Sequence, residues 1–439
     1  MKTILVLGAG RVSAPCIDYL VRKGNCRVVV ADVAEANLNE VKRLFPAALT
    51  VRDDAGKNAL ALIRAHEPAV VVNLLPPPFM PGVSRDCLET RVHMVHPAYL
   101  DEPTKQMASD VASAGLVFIP ELGLDPGIDH MSAAMNIDEI HERGGRVDTF
   151  QSLCGALPSA EANTNPWGYK LSWSPSSLIG ASKRTAKIKR DDSVILWPDG
   201  EAYEHSWLYE VPKLGAFEVY ANADSTVYLE GYGIPEAKGI YRGTLRYPGW
   251  CETICYMNRI GFFDTDEQDT RGMTFASFTA RQAGGKSDPA EALCMRFGLQ
   301  PWNTFIQRME WLGLYDEKPL PFDRASARDV VTLLFDEKLV FAPGERDLVV
   351  LCDEITATYP DGRRELRKSV LIDFGIPGKW SSIARTTGLP PAIAARLILE
   401  GIIKTPGVHA PMLKEIYRPV LRELAEEGVV LDESVHGIG

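Results

Sequence analysis

The feature that most constrains this chain is a short apolar run followed by a glycine turn. Residues Thr3-Ile-Leu-Val-Leu7 lead into Gly8-Ala-Gly10, an amphipathic pattern follows, and a second apolar run ends at Asp32. Strand, glycine turn, helix, strand and acidic residue, in this order, are typical of a dinucleotide-binding βαβ unit. Gly8 permits a tight turn, and Gly10 lets a pyrophosphate approach the backbone at a helix N-terminus. The pattern therefore predicts a Rossmann-type domain.

Alternating strand and helix patterns continue to residue 119. Further apolar runs at 49–51, 69–75, 93–96 and 116–119 complete six predicted strands of a doubly wound parallel sheet. Such sheets bind ligands at the carboxyl ends of their strands. The loop after the last predicted strand contains four ionisable residues, which are Glu121, Asp125, Asp129 and His130. Asp129 is interpreted as the cap of the following helix.

The second part of the chain has a different pattern. Strand-like runs joined by Pro-Asp-Gly turns at 198–200 and 360–362 surround a helical block at about 274–335. The predicted fold class is α/β, with a Rossmann-type doubly wound parallel sheet plus an α+β mixed-sheet substrate domain with a helical insertion. The predicted domains are 1–125 for dinucleotide binding, 126–270 with 340–390 for substrate and dimerisation, and 271–339 for the helical subdomain, with C-terminal helices in 391–439 able to pack back on the first domain.

Composition excludes several classes of function. The net charge of -11 is spread along the 439 residues, which argues against a nucleic-acid surface. No apolar run reaches the ~20 residues that span a bilayer, and the apolar start is too short for a signal peptide. The eight cysteines form no CxxC pairs, and Cys251 and Cys255 lack zinc-ligand spacing with His93 and His96. We expect a cytoplasmic protein with small-molecule ligands and no metal.

Candidate chemical groups fit a dehydrogenase. The chain has no GxSxG, GxxxxGK[ST] or HExxH motif, which disfavours hydrolases, kinases and metalloproteases. Tyr99, Asp125 and Cys154 follow or adjoin predicted strand ends and are candidates for proton handling. Their alternative interpretations are a core aromatic, a helix cap and a small buried apolar residue. Two arginines, Arg242 and Arg246, suit a carboxylate ligand, although a solvated pair on a strand is equally compatible.

The acidic residue at the end of the second strand bears on the cofactor. Asp32 favours NAD(H), because a carboxylate accepts hydrogen bonds from the ribose 2′-hydroxyl and repels a 2′-phosphate. Arg11 lies close to it in the sequence and keeps NADP(H) possible.

Several motifs outside the glycine turn resemble the saccharopine dehydrogenase family (glutamate-forming, also called saccharopine reductase) over essentially the whole length. They are Glu121-Leu-Gly-Leu-Asp-Pro-Gly-Ile-Asp-His130, Cys154-Gly155 with Leu157-Pro158, Asn165-Pro166 with Tyr169-Lys170 and Ser172-Trp-Ser174, Asp224-Ser-Thr226, Arg242-Gly-Thr-Leu-Arg-Tyr247 and Thr387-Gly-Leu-Pro390. The resemblance implies a homodimer that interconverts saccharopine with glutamate and 2-aminoadipate semialdehyde in lysine metabolism. It also implies a nicotinamide hydride that reduces the imine between the two amino acids.

The resemblance also implies site residues. Near the reacting carbon it places Tyr99, Asp125 and Cys154, to orient water and the amine. The cofactor-binding set is Gly8, Gly10, Arg11, Val12, Asp32, Leu75, Ala98, Leu124, Pro126 and Ser174. The substrate-binding set is Tyr99, Asp125, Trp173, Arg242, Thr244 and Arg246.

Three positions depart from the family pattern by losing a polar group, and they are Ala223, Ala98 and Pro77. Either Arg242, Arg246 or Lys170 compensates, or the substrate differs from saccharopine. Two alternatives therefore stay open. One is a related reductase that forms another carboxyalkylated amine, such as a carboxypolyamine. The other is a non-catalytic dinucleotide-binding protein, which the presence of Tyr99, Asp125 and Cys154 disfavours.

Overall fold

The computed structural model describes residues 1–285 and 288–438, apart from the side chains of residues 176 and 177. Its strands are β1 (Thr3–Leu7), β2 (Arg27–Asp32), β3 (Leu49–Arg52), β4 (Val70–Asn73), β5 (His93–Val95), β6 (Val117–Ile119), β7 (Arg146–Pro158), β8 (Ala186–Arg190), β9 (Ser193–Trp197), β10 (Trp207–Val211), β11 (Gly215–Ala221), β12 (Gly239–Arg246), β13 (Gln268–Asp269), β14 (Arg324–Ala325), β15 (Asp347–Thr358), β16 (Arg364–Phe374), β17 (Gly407–Val408) and β18 (Leu431–Ile438).

The helices alternate with the strands in the first part of the chain and cluster later. They are α1 (Ser13–Lys23), α2 (Glu35–Leu44), α3 (Ala55–His66), α4 (Met80–Thr90), α5 (Glu102–Gln106), α6 (Ala108–Ser113), α7 (Ile128–Glu142), α8 (Pro175–Ala181), α9 (Tyr228–Gly231), α10 (Trp250–Ile260), α11 (Phe275–Gln282), α12 (Pro289–Phe297), α13 (Thr304–Leu312), α14 (Ala327–Lys338), α15 (Ser382–Leu399) and α16 (Lys414–Glu426). Short 3₁₀ helices lie at Pro77–Phe79, Ala160–Ala162 and Glu201–His205.

The chain forms two compact units, and it crosses from one unit to the other more than once. The first unit consists of Met1–Asp148, Glu230–Pro235 and Leu351–Gly439, and the second consists of Thr149–Leu229 and Glu236–Val350. The domain boundaries given above stay predictions.

The first unit contains a parallel sheet in the strand order β17-β6-β5-β4-β1-β2-β3. The order reverses between β1 and β4, which is the switch point where doubly wound sheets bind ligands. Continuous apolar sequence explains the central strands, because every residue of β1 and β4 is buried. One side chain cluster of this core includes Leu5, Val71 and Phe118. The same unit contains the antiparallel pair β16 and β18.

The second unit contains a mixed sheet. Strands β10, β11 and β12 pair antiparallel, whereas β12 and β7 pair parallel. The hairpin of β8 and β9 joins this sheet through β12. Helices α11 to α14 follow at residues 275–338 and correspond to the predicted helical insertion. The predicted α/β class with a Rossmann sheet and a mixed sheet is therefore confirmed.

Three local predictions need correction. The sequence pattern predicts a helix at 392–400, and the observed helix begins ten residues earlier, at Ser382, because Ser381 caps it and Pro390 and Pro391 lie inside it. The pattern also predicts one helix at 103–114, where the structure has two short helices, α5 and α6. A seventh parallel strand, β17, was not predicted, and its two residues are too short to show a periodicity. Among the described residues, no helix combines the length and apolarity that crossing a membrane requires.

Candidate active site

The glycine turn joins β1 to α1 at the switch point of the parallel sheet. Gly8 has a φ of +97°, and a Cβ there would lie 3.2 Å from the carbonyl carbon and oxygen of Leu74, so only glycine fits without strain. A Cβ on Gly10 would meet nothing within 4 Å, so the space above this residue is open. Helix α1 then starts at Ser13 without a side-chain cap from Val12. No side-chain cap therefore competes with an anion at this helix end, where the Ser13 N–H donates to the Gly10 carbonyl at 3.1 Å.

Asp32 has a structural role in this turn. One carboxylate oxygen accepts a hydrogen bond from the Ala9 N–H and the other from the Ala34 N–H, each at 2.7 Å. The side chain thus joins the glycine turn to the segment that leads into α2. Both of its oxygens accept backbone hydrogen bonds, so the carboxylate has this structural role whichever ribose binds.

The other predicted cofactor residues of the first unit follow the carboxyl ends of neighbouring strands. Arg11 is exposed on the glycine turn, and Leu75 comes two residues after β4. The Leu75 N–H donates to the Asn73 side chain at 3.2 Å, which fixes the turn there. Ala98 follows β5, and Leu124 and Pro126 lie in the loop after β6. Pro77, one of the departures, starts the 3₁₀ helix that follows β4.

Tyr99 and Asp125 are brought together by two loops of the same unit. The Tyr99 hydroxyl donates to Asp125 Oδ1 at 3.3 Å, and the Tyr99 side chain is 41% exposed. The Asp125–Pro126 peptide bond is cis. A phenol and a carboxylate in contact at the carboxyl edge of a parallel sheet can orient a water molecule and exchange a proton with it. Both residues were predicted as catalytic, and that role stays a prediction.

Asp129 is not the helix cap that the sequence predicts. Helix α7 begins at Ile128 with Gly127 as its N-cap residue, so Asp129 lies within the first turn. Its buried carboxylate accepts a hydrogen bond from the Gly127 N–H at 2.5 Å. Gly127 has a φ of +147°, and a Cβ there would overlap the backbone of Gly123. The glycine and the acid together fold the Asp125 loop back on itself.

Glu121 and His130 form a buried pair in the same unit. The Glu121 Oε2 and His130 Nε2 atoms are 2.9 Å apart, and His130 Nδ1 lies 2.7 Å from the Tyr232 hydroxyl. Burial acts to raise the pKa of Glu121, but contact with His130 outweighs it and holds this pKa below its usual range. Neither residue had a predicted role. The contact between Glu121 and His130 cannot be predicted from their spacing in the sequence, because it depends on the loop between them reversing direction at Gly127.

The second unit carries the predicted residues Cys154, Thr244, Arg242 and Arg246. Cys154 on β7 is directly opposite Thr244 on the parallel strand β12, so their side chains share one face of the sheet. Arg242 and Arg246 alternate with Thr244 along β12 and lie on that face as well. Cys154 is buried.

The two arginines are buried against aromatic rings. The Arg246 guanidinium lies 5.0 Å from the centroid of Tyr169 and 5.6 Å from that of Trp250. Arg242 lies 4.5 Å from the Tyr228 ring. They are therefore not a solvated pair, and a guanidinium in such a position can bind a carboxylate through its N–H groups. Tyr220 on β11 lies opposite Thr244, a position that follows only from the strand pairing and not from a sequence motif.

Four further residues that the sequence singles out lie in the second unit. The Trp173 indole N–H donates to the Tyr169 hydroxyl at 2.8 Å, and Ser174 immediately precedes α8. Lys170 is buried and forms an ion pair with Glu345 at 2.5 Å. Its ammonium therefore has a carboxylate partner within the second unit, and its compensating role stays a prediction. Ala223 has a φ of +52° in the turn after β11.

The remaining ionisable groups give no metal centre. Over 1–285 and 288–438, no three His, Cys, Asp or Glu side chains are arranged to hold a metal ion. The eight cysteines, all within these ranges, form no disulfide bond.

Comparison with known proteins gives consistent matches along the chain. A family model described as saccharopine dehydrogenase NADP binding domain matches residues 4–119, and one described as saccharopine dehydrogenase C-terminal domain matches residues 123–429. Saccharopine dehydrogenase [NADP(+), L-glutamate-forming] of Schizosaccharomyces pombe is 32% identical over 99% of both chains. The protein of the same name from Saccharomyces cerevisiae is 33% identical over 98% of this chain and 99% of its own.

A solved structure is similar over the same extent. Apo saccharopine dehydrogenase (L-Glu forming) from Saccharomyces cerevisiae matches with a TM-score of 0.90 at 32% identity, covering 99% of this chain and 100% of the other.

These names contradict the preference for NAD(H) that Asp32 predicts. The family model is described as an NADP binding domain, and the curated relatives are named for NADP(+). The physical reason lies in the two backbone hydrogen bonds that Asp32 accepts from Ala9 and Ala34. The carboxylate shapes the turn, so its presence does not report which ribose the turn receives.

Proposed function

Because the chain belongs to the saccharopine dehydrogenase family, we propose that it is the NADP(H)-dependent, glutamate-forming enzyme of that type. It interconverts saccharopine with L-glutamate and 2-aminoadipate 6-semialdehyde in lysine metabolism. In the oxidative direction the C–N carbon loses a hydride, the resulting imine adds water, and the C–N bond breaks to give the aldehyde and the amino acid. One water is consumed, and one proton is released with each NADPH.

The contact between Tyr99 and Asp125 is the observation that carries this proposal. Hydride transfer to or from the carbon needs a hydride carrier, whereas imine hydrolysis needs a water that is oriented and deprotonated. Tyr99 and Asp125 supply a hydroxyl and a carboxylate 3.3 Å apart in the unit that also carries the glycine turn. We assign to Asp125 the proton taken from water and to Tyr99 the orientation of that water.

The residues of the glycine turn fit a dinucleotide. The space above Gly10 is open, and the first turn of α1 has no side-chain cap that competes for its N–H groups. We assign the pyrophosphate to this turn and the 2′-phosphate to the exposed guanidinium of Arg11. The further proposed cofactor contacts are Val12, Leu75, Ala98, Leu124, Pro126 and Ser174.

The arginine face of the second unit supports recognition of an amino acid with several carboxylates. Arg242 and Arg246 are buried on aromatic rings and flank Thr244 on one strand. A guanidinium forms two parallel hydrogen bonds to a carboxylate, each stronger than a neutral pair. We propose that Arg242, Thr244, Arg246 and Trp173 bind substrate. Cys154, opposite Thr244, stays proposed as a third proton-handling residue.

A competition between substrate pairs tests the proposal. The purified protein receives NADPH with either 2-aminoadipate 6-semialdehyde and glutamate, or a polyamine and aspartate semialdehyde. We expect NADPH oxidation with the first pair and saccharopine as the product by mass spectrometry. Oxidation only with the second pair would replace the proposal by the carboxypolyamine alternative. Tight NADPH binding without turnover on either pair would favour a non-catalytic protein.

We further propose that the enzyme is a cytoplasmic homodimer, as the family resemblance implies. Light scattering coupled to size exclusion is expected to give twice the mass of one chain. A mass of one chain at micromolar concentration contradicts the dimer. Imaging of a tagged chain in its native cell tests the compartment.

A further inference from the structure

The loop that carries Asp125 also carries two buried ionisable side chains to which the proposed reaction gives no role. Glu121 is 7% exposed, and His130 is fully buried. Burying a carboxylate costs desolvation free energy, which its hydrogen bonds and its contact with the histidine must offset. The contacts of Glu121 lead to the catalytic tyrosine.

Glu121 holds the backbone on both sides of Tyr99. Its own N–H donates to the carbonyl of Ala98 at 2.9 Å. Its carboxylate oxygen Oε1 accepts the N–H of Leu100 at 3.0 Å. Tyr99 lies between these two residues in an irregular segment, and its side chain is partly exposed. Glu121 therefore fixes the backbone from which the Tyr99 side chain extends.

His130 holds the other oxygen of Glu121. Its Nε2 atom is 2.9 Å from Glu121 Oε2, and its Nδ1 atom is 2.7 Å from the Tyr232 hydroxyl. Because both ring nitrogens are engaged, the ring cannot turn without losing a buried contact. Glu121 has a positive φ of 57°, which is unfavourable for a residue with a side chain and persists only where the surroundings impose it.

The same histidine is close to the acid that shapes the Asp125 loop. His130 Nδ1 lies 3.7 Å from Asp129 Oδ2, while Asp129 Oδ1 accepts the Gly127 N–H. One imidazole thus contacts a carboxylate that fixes the Tyr99 segment and a carboxylate that fixes the Asp125 loop. Tyr99 and Asp125 lie in different loops, and the two contacts of His130 connect these loops.

We propose that Glu121 and His130 are positioning residues for the reaction. Glu121 sets the backbone on either side of Tyr99, and His130 keeps Glu121 and the Asp125 loop in fixed relation, so the Tyr99 hydroxyl meets Asp125. The proposal rests on the proposed function for its kinetic readout. Neither residue touches the reacting atoms in this role.

Kinetics of paired variants test this role. Glu121→Ala is expected to lower kcat by about 10- to 100-fold, the cost of misplacing a reacting group by about an ångström. The KM for NADPH is expected to stay within about twofold, because the glycine turn is unchanged. Glu121→Gln keeps an oxygen for the Leu100 N–H and should restore kcat to within about threefold.

Glu365→Ala is the matched control. Glu365 is likewise a buried glutamate of the first unit, in contact with Arg367 at 2.7 Å and with the Tyr359 hydroxyl at 2.6 Å. Its loss should destabilise folding while leaving kcat per folded molecule unchanged. If Glu121→Ala keeps its kcat, or loses no more than the Glu365 control, the positioning role is wrong. Failure of Glu121→Gln to restore kcat also overturns it.

Hydrogen exchange at the Leu100 amide separates this proposal from the proposed function. Glu121→Ala should speed exchange of that amide by about tenfold or more, whereas Glu121→Gln and Glu365→Ala leave it protected. If the protein shows this exchange pattern but does not turn over saccharopine, the substrate assignment is wrong. The role of Glu121 in holding the Tyr99 segment is then still supported. Unchanged exchange in Glu121→Ala, with or without turnover, overturns the positioning role.

Discussion

Arg11 follows the second glycine of the turn and is exposed, so we assign it the 2′-phosphate of NADPH. Losing one charge-assisted contact costs about 1.5–3 kcal/mol, or roughly 10- to 150-fold in affinity. We expect Arg11→Ala to raise the Kd of NADPH by this factor and to leave the Kd of NADH nearly unchanged, measured by fluorescence titration. Arg43→Ala, which removes an exposed cation paired with Glu40 on α2, is the control. An equal loss for both cofactors would refute the assignment.

Asp125 is the residue that we assign to proton transfer. Asp125→Asn keeps the size of the side chain but removes the base, so kcat for saccharopine oxidation should fall by about 10²- to 10⁴-fold. The Kd of NADPH should change little. Tyr99→Phe removes only the hydroxyl that contacts Asp125 and should cost less. A wild-type kcat for Asp125→Asn would exclude it as the base.

The site residues differ in how far the sequence could predict them. Tyr99 and Asp125 follow strands that are neighbours in a parallel sheet, so their approach is a consequence of topology. Asp32 was correctly placed at the end of β2 but wrongly interpreted, because its backbone partners Ala9 and Ala34 depend on the folded turn. The contact between Glu121 and His130 depends on a loop reversal, which has no periodicity to reveal it.

At the scale of elements, helix α15 packs against helix α1 next to the glycine turn. A Cβ on Gly388 of α15 would lie 2.2 Å from the carbonyl oxygen of Val12, where α1 begins. Backbone cannot yield as a side chain can, so Gly388→Ala should destabilise the protein by about 1–3 kcal/mol and weaken NADPH binding. Thermal unfolding and NADPH titration measure the two effects.

Gly82→Ala is the control for this substitution. Gly82 also lies in a helix of the first unit, and a Cβ there would meet nothing within 4 Å. Alanine at this position should stabilise the protein by about 0.5–1 kcal/mol through helix propensity. The prediction for Gly388 fails if both variants shift the melting temperature in the same direction.

Elements with a strong period were predictable, and those set by tertiary contacts were not. The apolar run of β1 gives its bounds to the residue. Helix α15 was predicted too short, with its start at residue 392, whereas the buried Pro390 and Pro391 lie inside the observed helix. Strand β17 pairs with β6 over two residues only. This strand is defined by its pairing at the edge of the sheet and not by a pattern in its own sequence.

At the scale of the whole molecule, a buried histidine makes stability depend on pH. His96 follows β5 and is fully buried, and this burial lowers its pKa to about 4 from the usual 6.5. Between pH 6.5 and 4 the unfolded chain binds a proton that the folded chain does not. Stability is therefore complete above pH 6.5 and falls as the pH drops toward 4.

The expected loss is on the order of 3 kcal/mol from this residue, reached near pH 4. Denaturant unfolding from pH 7.5 to 4.5 measures it. His96→Leu should flatten this part of the profile, while the exposed His436→Leu should leave it unchanged. An identical pH slope in the wild type and His96→Leu would show that other groups cause it.

The division of the chain into units is the part of the architecture that sequence patterns describe least. The short segment Glu230–Pro235 belongs to the first unit although sequence on both sides belongs to the second. A run of six residues carries no composition signal, yet it contributes Tyr232, which contacts His130. By contrast, the fold class depends on many residues and was predictable from the glycine turn and the strand pattern together.

The hydrogen bonds of Asp32 have a consequence for protein engineering. The acidic residue at the end of the second strand is the obvious target for changing the cofactor choice of a Rossmann domain. Here that carboxylate ties the Ala9 and Ala34 N–H groups together, so its removal leaves two donors without their acceptor. We therefore expect substitutions of Asp32 to distort the glycine turn before they change the cofactor specificity. Variation at Arg11, with Asp32 kept constant, is the more productive design.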